Sequence, residues 1–226
     1  VRIAVLGGTG REGRGLATRW AVAGHEVVIG SRDAARAEEA AREIADAVAE
    51  AARTAGPAHA GTALAGAANE EAARRADVVV LALPFEGLAD TLAAARAAIG
   101  GRVVISAVVP MSFVDKRPVM RAVTEGSAAQ AAAAALPEAR VAAAFQTVDA
   151  RVLADLGRTL DEDVPVATDS DEARAVAFDL CRTVGLRPID AGPLAQAAYV
   201  EAVTPLLVGI NRANRTHAGV RFTGLG

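Results

Sequence analysis

Aromatic side chains are scarce in this 226-residue chain: they make up 3% of it, against 52% hydrophobic residues in all. A core must then be built from Ala, Val, Leu and Ile, which suits thin helices packed closely on a sheet. Cysteine is nearly absent. Cys181 stands alone in an apolar run (Ala177-Phe-Asp-Leu-Cys181), so there is no intrachain disulfide framework; a small buried hydrophobe in a reducing compartment is expected. The three histidines are His25 in a turn, His59 in a Gly/Ala-rich stretch and His217 near the end. None stands at metal or triad spacing from a carboxylate, so each reads as a solvated surface residue and no metal site is predicted. Gly-x-Ser-x-Gly is missing, and the one lysine, Lys116, lies between Asp115 and Arg117 as a surface charge. The acidic run Asp161-Glu-Asp163 reads as a solvated loop. A net charge of −3 with arginines spread along the chain offers no nucleic-acid surface. Arg, Glu or Asp interrupts every apolar run well short of a membrane span. The first strand begins at residue 2, so no leader is expected and the expected location is the cytoplasm.

What the chain does have starts at once. Ile3-Ala-Val-Leu-Gly-Gly-Thr-Gly-Arg-Glu-Gly13 is an apolar strand running into a glycine-rich turn, with an amphipathic helical segment after it. Gly8, Gly10 and Gly13 make G-x-G-x-x-G in the context a dinucleotide fingerprint requires. Gly8 is expected to permit the tight turn, Gly10 to let a diphosphate approach the backbone, and Gly13 to bring helix and strand together. The helix's free N–H groups and partial positive charge then face the phosphates.

The second strand discriminates between cofactors. An NAD site ends this strand in a carboxylate that accepts from the ribose 2′-hydroxyl. Here Glu26-Val-Val-Ile-Gly30 is followed by Ser31-Arg32, with Arg36 one helical turn on. A guanidinium fork and a small hydroxyl suit a 2′-phosphate, and NADP is preferred. Asp33 sits just past the critical position, where it can cap a helix instead.

Apolar runs alternate with Ala-rich helical segments, which predicts α/β architecture: a Rossmann-type doubly wound parallel sheet extended by a smaller C-terminal α/β block. Strands are expected at about 2–6, 26–30, 62–65, 78–83 and 102–106, and helices near 12–23, 34–54, 69–75, 86–99 and 127–136. Residues 111–126 suggest a loop over the site. Residues 1–140 form the expected NADP-binding domain, and 141–226 a smaller domain closing the substrate pocket. In the second block, strands at 140–146 and 164–168 precede a helix at 171–184 capped by Asp169 or Asp171, then a final helix near 195–213. The strand ends Ala82-Leu83-Pro84 and Val109-Pro110 make a flat apolar wall against which a ring can lie.

No evident acid or base accompanies this nucleotide site. Reducing a ketone or imine calls for a proton donor at the new hydroxyl or amine. Hydride exchange between two cofactor rings asks mainly for alignment and exclusion of water, since the chemistry resides in the rings. No catalytic side chain is therefore predicted.

At this point the motifs converge. Ile3–Gly15 with Gly24-His-Glu-Val-Val-Ile-Gly-Ser-Arg32 resembles the NADPH-dependent F420 reductases, or coenzyme F420:NADP oxidoreductases. So do Asp163-Val-Pro-Val, Gly185-Leu-Arg-Pro-Ile-Asp-Ala-Gly-Pro-Leu194 and Val200-Glu-Ala-Val-Thr-Pro-Leu-Leu207, which are more specific than the glycine turn. The resemblance implies reversible hydride transfer between NADPH and the deazaflavin coenzyme F420, without a covalent intermediate, in a homodimer. Carried over, Thr9, Gly10, Arg11 and Glu12 would hold the pyrophosphate and Ser31, Arg32 and Arg36 the 2′-phosphate. Leu83, Pro84, Val109 and Pro110 would flank the nicotinamide with Ala150 nearby, and the deazaflavin would stack close to Gln146, Val148 and Leu207. The chain departs from the family pattern at Gln146, where histidine is usual, and at Asp149, where proline is usual. Two alternatives stand beside this reading: an NADPH-dependent reductase of another flavin or of a small carbonyl or imine, and a non-catalytic NADP-binding redox regulator.

Overall fold

The computed structural model describes residues 1–55 and 63–225; His59 and the start of the strand expected at 62–65 lie outside them. The first half alternates strand and helix: β1 (Arg2–Leu6), α1 (Arg11–Val22), β2 (Glu26–Ser31), α2 (Ala34–Ala55), β3 (Leu64–Ala68), α3 (Asn69–Arg75), β4 (Val78–Leu81), α4 (Leu88–Ile99) and β5 (Val103–Ser106). After a hairpin, β6 (Met111–Val114) and β7 (Arg117–Met120), come α5 (Ala128–Ala135), β8 (Arg140–Ala143) and α6 (Ala150–Ala154). The chain closes with β9 (Asp163–Thr168), α7 (Asp171–Thr183), β10 (Arg187–Gly192) and α8 (Ala197–Asn214).

Eight strands form one sheet in the order β10-β9-β8-β5-β4-β1-β2-β3. From β3 to β8 every pairing is parallel; β9 then pairs antiparallel with β8, and β10 parallel with β9. The Rossmann order is therefore continuous with the C-terminal block, the two meeting at one antiparallel junction. The strand succession turns back between β1 and β4, which opens a crevice at their carboxyl ends.

The central strands are apolar throughout because both faces are covered. One layer packs Leu16, Trp20, Ile44, Leu153 and Leu180 from α1, α2, α6 and α7. The other packs Ala72, Leu92, Ala129 and Val200 from α3, α4, α5 and α8. Buried Trp20 and Phe145 meet edge to face, 5.4 Å between centroids, and Trp20 Nε1 donates to the Leu180 carbonyl at 3.1 Å. Cys181 is buried, as its surroundings suggested, and burial pushes its thiol pKa up.

Four expectations need correction. Residues 111–126 are not all loop: Asp115 and Lys116 both take left-handed conformations (φ 48° and 63°) and turn β6 tightly into β7. The cap of α7 is Ser170, whose side chain accepts from Ala173 N; Asp169 instead accepts from Leu194 N. The short helix α6 follows Asp149, which caps it, where no helix was expected. The acidic run is no solvated loop, for Glu162 is 7% exposed and Asp163 is fully buried at the start of β9. Asp163 bridges Arg187 through both oxygens (2.7 and 2.8 Å) and accepts from Phe222 N, which holds its carboxyl below the usual carboxylate range despite burial.

Trp20→Phe keeps the ring contact and removes the indole donor, leaving the Leu180 carbonyl with the Thr183 hydroxyl at 3.1 Å. Urea denaturation should show a loss of about 1–2 kcal/mol, the net worth of one buried hydrogen bond and a small void. An unchanged midpoint and slope would show that this bond contributes nothing.

Candidate functional site

The glycine turn is shaped by contact with the neighbouring strand. Gly7 is left-handed (φ 79°), and a Cβ there would lie 2.5 Å from the Ala82 carbonyl at the end of β4. The conformational role expected of Gly8 is thus carried by Gly7, one residue earlier. Gly13 has the packing role expected of it: its Cβ would stand 2.7 Å from Gly8 Cα, so α1 starts directly against the turn. Gly10 is the exposed N-cap of α1, with no side chain to bond the first-turn N–H groups. A helix start left bare in this way is an anion site in waiting. Thr9 is half-buried on the same turn, its carbonyl accepting from Arg14 Nε at 3.1 Å.

A cleft of about 1000 Å³ opens from this turn across the strand ends. Of the residues singled out in the sequence, it brings together Gly10, Arg11, Glu12, Leu83, Pro84, Val109, Gln146, Val148, Ala150 and Leu207. Pro110 is buried beside it, its carbonyl accepting from Arg121 N at 2.7 Å. Ser31, Arg32 and Arg36 do not line the cleft; they stand at the end of β2 and the start of α2. Asp33 there is committed to the helix, Oδ1 accepting from Ala35 N (3.0 Å) and Arg36 N (3.4 Å). Arg32 and Arg36 are exposed and, among the described residues, neither is in an ion pair.

The floor is polar and incompletely satisfied. Gln146 is 5% exposed; its Nε2 donates to the Ser106 carbonyl at 2.8 Å, and its Oε1 is buried without a partner, as is Ser106 Oγ. Such atoms demand a ligand or water. Phe145, left-handed at φ 76°, turns the chain at the end of β8 and leaves Gln146 lining the cleft. On the far wall, α8 is tied down at Thr204, whose hydroxyl donates to the Gln146 carbonyl at 2.7 Å.

Two features escaped sequence reasoning. Glu12 carries a buried, unpartnered Oε1, and burial, then Asp149, then Glu162 push its pKa up to about 8. At neutral pH it is an uncharged acid. His217 is not a solvated bystander: its Nδ1 lies 2.8 Å from Asp149 Oδ2, and both residues line the cleft. Sixty-eight residues separate them, so no spacing rule finds the pair. Among the described residues no group of side chains suits a metal, and no helix is long and apolar enough to cross a membrane.

Comparison with known proteins gives the family. Residues 2–110 match a family model described as NADP oxidoreductase, coenzyme F420-dependent. An F420-dependent NADP reductase of Methanothermobacter thermautotrophicus is 42% identical over 231 residues, covering 100% of this chain and 96% of that protein. Its namesake from Methanocaldococcus jannaschii is 36% identical over 229 residues, covering 100% and 99%. A crystal structure of an Arthrobacter protein assigned as an F420-dependent NADP reductase superposes with a TM-score of 0.77 at 29% identity, over 95% of each chain. Identity of this order along the full length makes this chain a member of the coenzyme F420-dependent NADP oxidoreductase family.

Proposed function

We propose that this chain moves a hydride reversibly between NADPH and the deazaflavin coenzyme F420, both bound in the one cleft. The observation that carries the reading is the cleft's composition: a bare helix start at one end, an apolar strand-end wall in the middle and an opposing wall on α8. The family relation supplies the identity of the second ring. The chain's residues fit the pair of ligands, since the α1 N-terminus lacks a side-chain cap and the floor keeps an orphan acceptor in Gln146 Oε1. The two rings supply the electrons and the transferable hydrogen; the protein aligns them and excludes water.

In this reading the backbone of Thr9, Gly10, Arg11 and Glu12 holds the diphosphate, with Arg11 adding charge. Because Glu12 is protonated, it offers the anion no repulsion. Ser31, Arg32 and Arg36 take the 2′-phosphate, and the commitment of Asp33 to its helix cap removes the carboxylate that would oppose it. Leu83, Pro84, Val109 and Pro110 form the nicotinamide wall with Ala150 beside it; Gln146, Val148 and Leu207 border the deazaflavin. Exposed apolar side chains support the homodimer in this reading: Tyr199, Leu206 and Ile210 on α8, and Phe113, Val114 and Val119 on the hairpin. The lone buried cysteine suits the reducing cytoplasm.

The direct test mixes the protein with NADPH and oxidised F420. Visible deazaflavin absorbance should fall in step with NADPH, while FMN and small ketones are left unreduced; turnover of a ketone or imine alone would overturn the reading. Arg32→Ala should weaken NADPH binding by about tenfold or more, the ~1.5 kcal/mol of a charge-assisted contact, and NADH binding far less. Equal losses for both would remove the 2′-phosphate from Arg32. NADP affinity should decline as pH rises past about 8, where Glu12 ionises beside the diphosphate. Linkage caps that decline at about tenfold per pH unit, and Glu12→Gln should flatten it in a titration by calorimetry. Leu206→Asp should shift the sedimentation coefficient to that of a monomer; an unchanged value would place any dimer contact elsewhere.

A further inference from the structure

The tail beyond α8 holds His217 in place. Arg215 takes a left-handed conformation (φ 52°) and ends the helix, and the chain folds back on it. Thr216 N donates to the Asn211 carbonyl at 3.1 Å, and Ala218 N to Asn211 Oδ1 at 2.6 Å. Farther on, Asp163 N donates to the Val220 carbonyl (2.8 Å) and Phe222 N to Asp163 Oδ2 (2.6 Å), which docks the tail on β9. His217 is thereby fixed opposite the start of α6, where it meets Asp149.

Asp149 has two oxygens with separate duties. Oδ1 accepts from Arg151 N at 2.8 Å, which is all a helix cap requires; Oδ2 faces His217 Nδ1, which the cap does not need. Burial opposes ionisation of Asp149, but the Arg151 N–H, the His217 bond and the charges of both hold its carboxyl below the usual range. An ionised carboxylate only accepts, so Nδ1 carries a proton and Nε2 is the nitrogen left for other work. The imidazole is 37% exposed and lines the cleft. Facing this pair are Arg151 on α6, Glu12 on α1 and Glu162 before β9, with Arg11, Arg212 and Arg215 lining the same cleft.

We propose that His217, positioned by Asp149, is the proton donor and acceptor of the reaction. The inference rests on the hydride-transfer reading given above. Reduction of the deazaflavin takes one hydrogen with its electron pair and, separately, one proton. The C–H bond at the dihydronicotinamide breaks and a C–H bond at the acceptor ring forms, so nicotinamide is oxidised and the acceptor reduced. The remaining proton passes from His217 Nε2 to the heteroatom of the acceptor ring that gains negative charge, and water at the cleft mouth reprotonates the imidazole. In the reverse direction the same nitrogen takes the proton away. Gln146 cannot substitute, since a carboxamide has no titratable proton near neutrality.

The test uses the full-length protein and the variants His217→Gln, His217→Ala and Asp149→Asn. His217→Gln should keep NADP affinity within twofold while kcat with F420 falls at least tenfold and its pH-dependent limb disappears, the scale of a lost general acid. Added imidazole should restore turnover to His217→Ala, which it would not do for a merely structural residue. Independently of turnover, the His217 ring resonances, assigned by their loss in His217→Gln, should change chemical shift in Asp149→Asn and when oxidised F420 binds beside NADP. Wild-type kcat and pH profile in His217→Gln, alongside active wild-type protein, would overturn this proposal alone. A rate loss without imidazole rescue or ring response to F420 would overturn it too, leaving His217 a structural tie. Failure of the wild-type protein to reduce F420 would overturn both the hydride-transfer reading and the proposal.

Discussion

The approach of the glycine turn to the end of β4 is the contact on which the cleft depends. A Cβ at Gly7 would fall 2.5 Å from the Ala82 carbonyl, a separation no side chain tolerates, so the turn presses on the strand only because nothing projects from it. That contact puts the bare start of α1 beside Leu83 and Pro84. The bare helix start and the apolar wall are therefore placed by one backbone approach, at the point where the strand order reverses. A side chain at Gly7 would separate the two halves of the cleft although Gly7 does not itself line it.

The half of the fold around the glycine turn was legible in the sequence because its signals are local. A glycine turn between a strand and an amphipathic helix, and Ser31-Arg32 after the next strand, carry their meaning within a few residues. Buried parallel strands such as Val78–Leu81 announce themselves as uninterrupted apolar runs, so the order of elements was readable as well. The assignment slipped by one residue at Gly7, because a pattern of glycines does not state which one must be left-handed. Asp33 was ambiguous on paper for a related reason: a carboxylate after a strand can cap a helix or meet a ribose, and only the 3.0 Å bond to Ala35 N decides it.

The other half was illegible because its meaning is long-range. Asp161-Glu-Asp163 has the composition of a solvated loop, yet Asp163 is buried against Arg187 and the tail residue Phe222, 24 and 59 positions away. His217 and Asp149 meet only because that tail is pinned there. A scan for triad spacing along the chain is blind to such a pair, and the absence of an acid or base from the sequence pattern was not an absence from the cleft. The burial that lifts Glu12 to about 8 likewise arises from α1, α6 and the start of β9 packing together.

Helix α8 joins the two halves. Glu201, Thr204 and Asn211 fall at spacings of three and seven, which places them along one stripe of the helix. Glu201 is fully buried and accepts from Ala128 N and Ala129 N at 2.9 and 3.0 Å, so it caps α5 from a distance of 73 and 72 residues in the chain. Thr204 ties the helix to the Gln146 backbone at the cleft floor, and Asn211 folds the tail back. Pro205 interrupts the helix's own hydrogen bonds between these ties, so the orientation of α8 is set by its partners more than by its internal ladder. The ties at Glu201 and Thr204 hold α8 as the wall that faces the strand ends across the cleft. Asn211 also folds back the segment that brings the His217 imidazole to the cleft, so one helix and the segment that follows it supply both the opposing wall and the imidazole beside it.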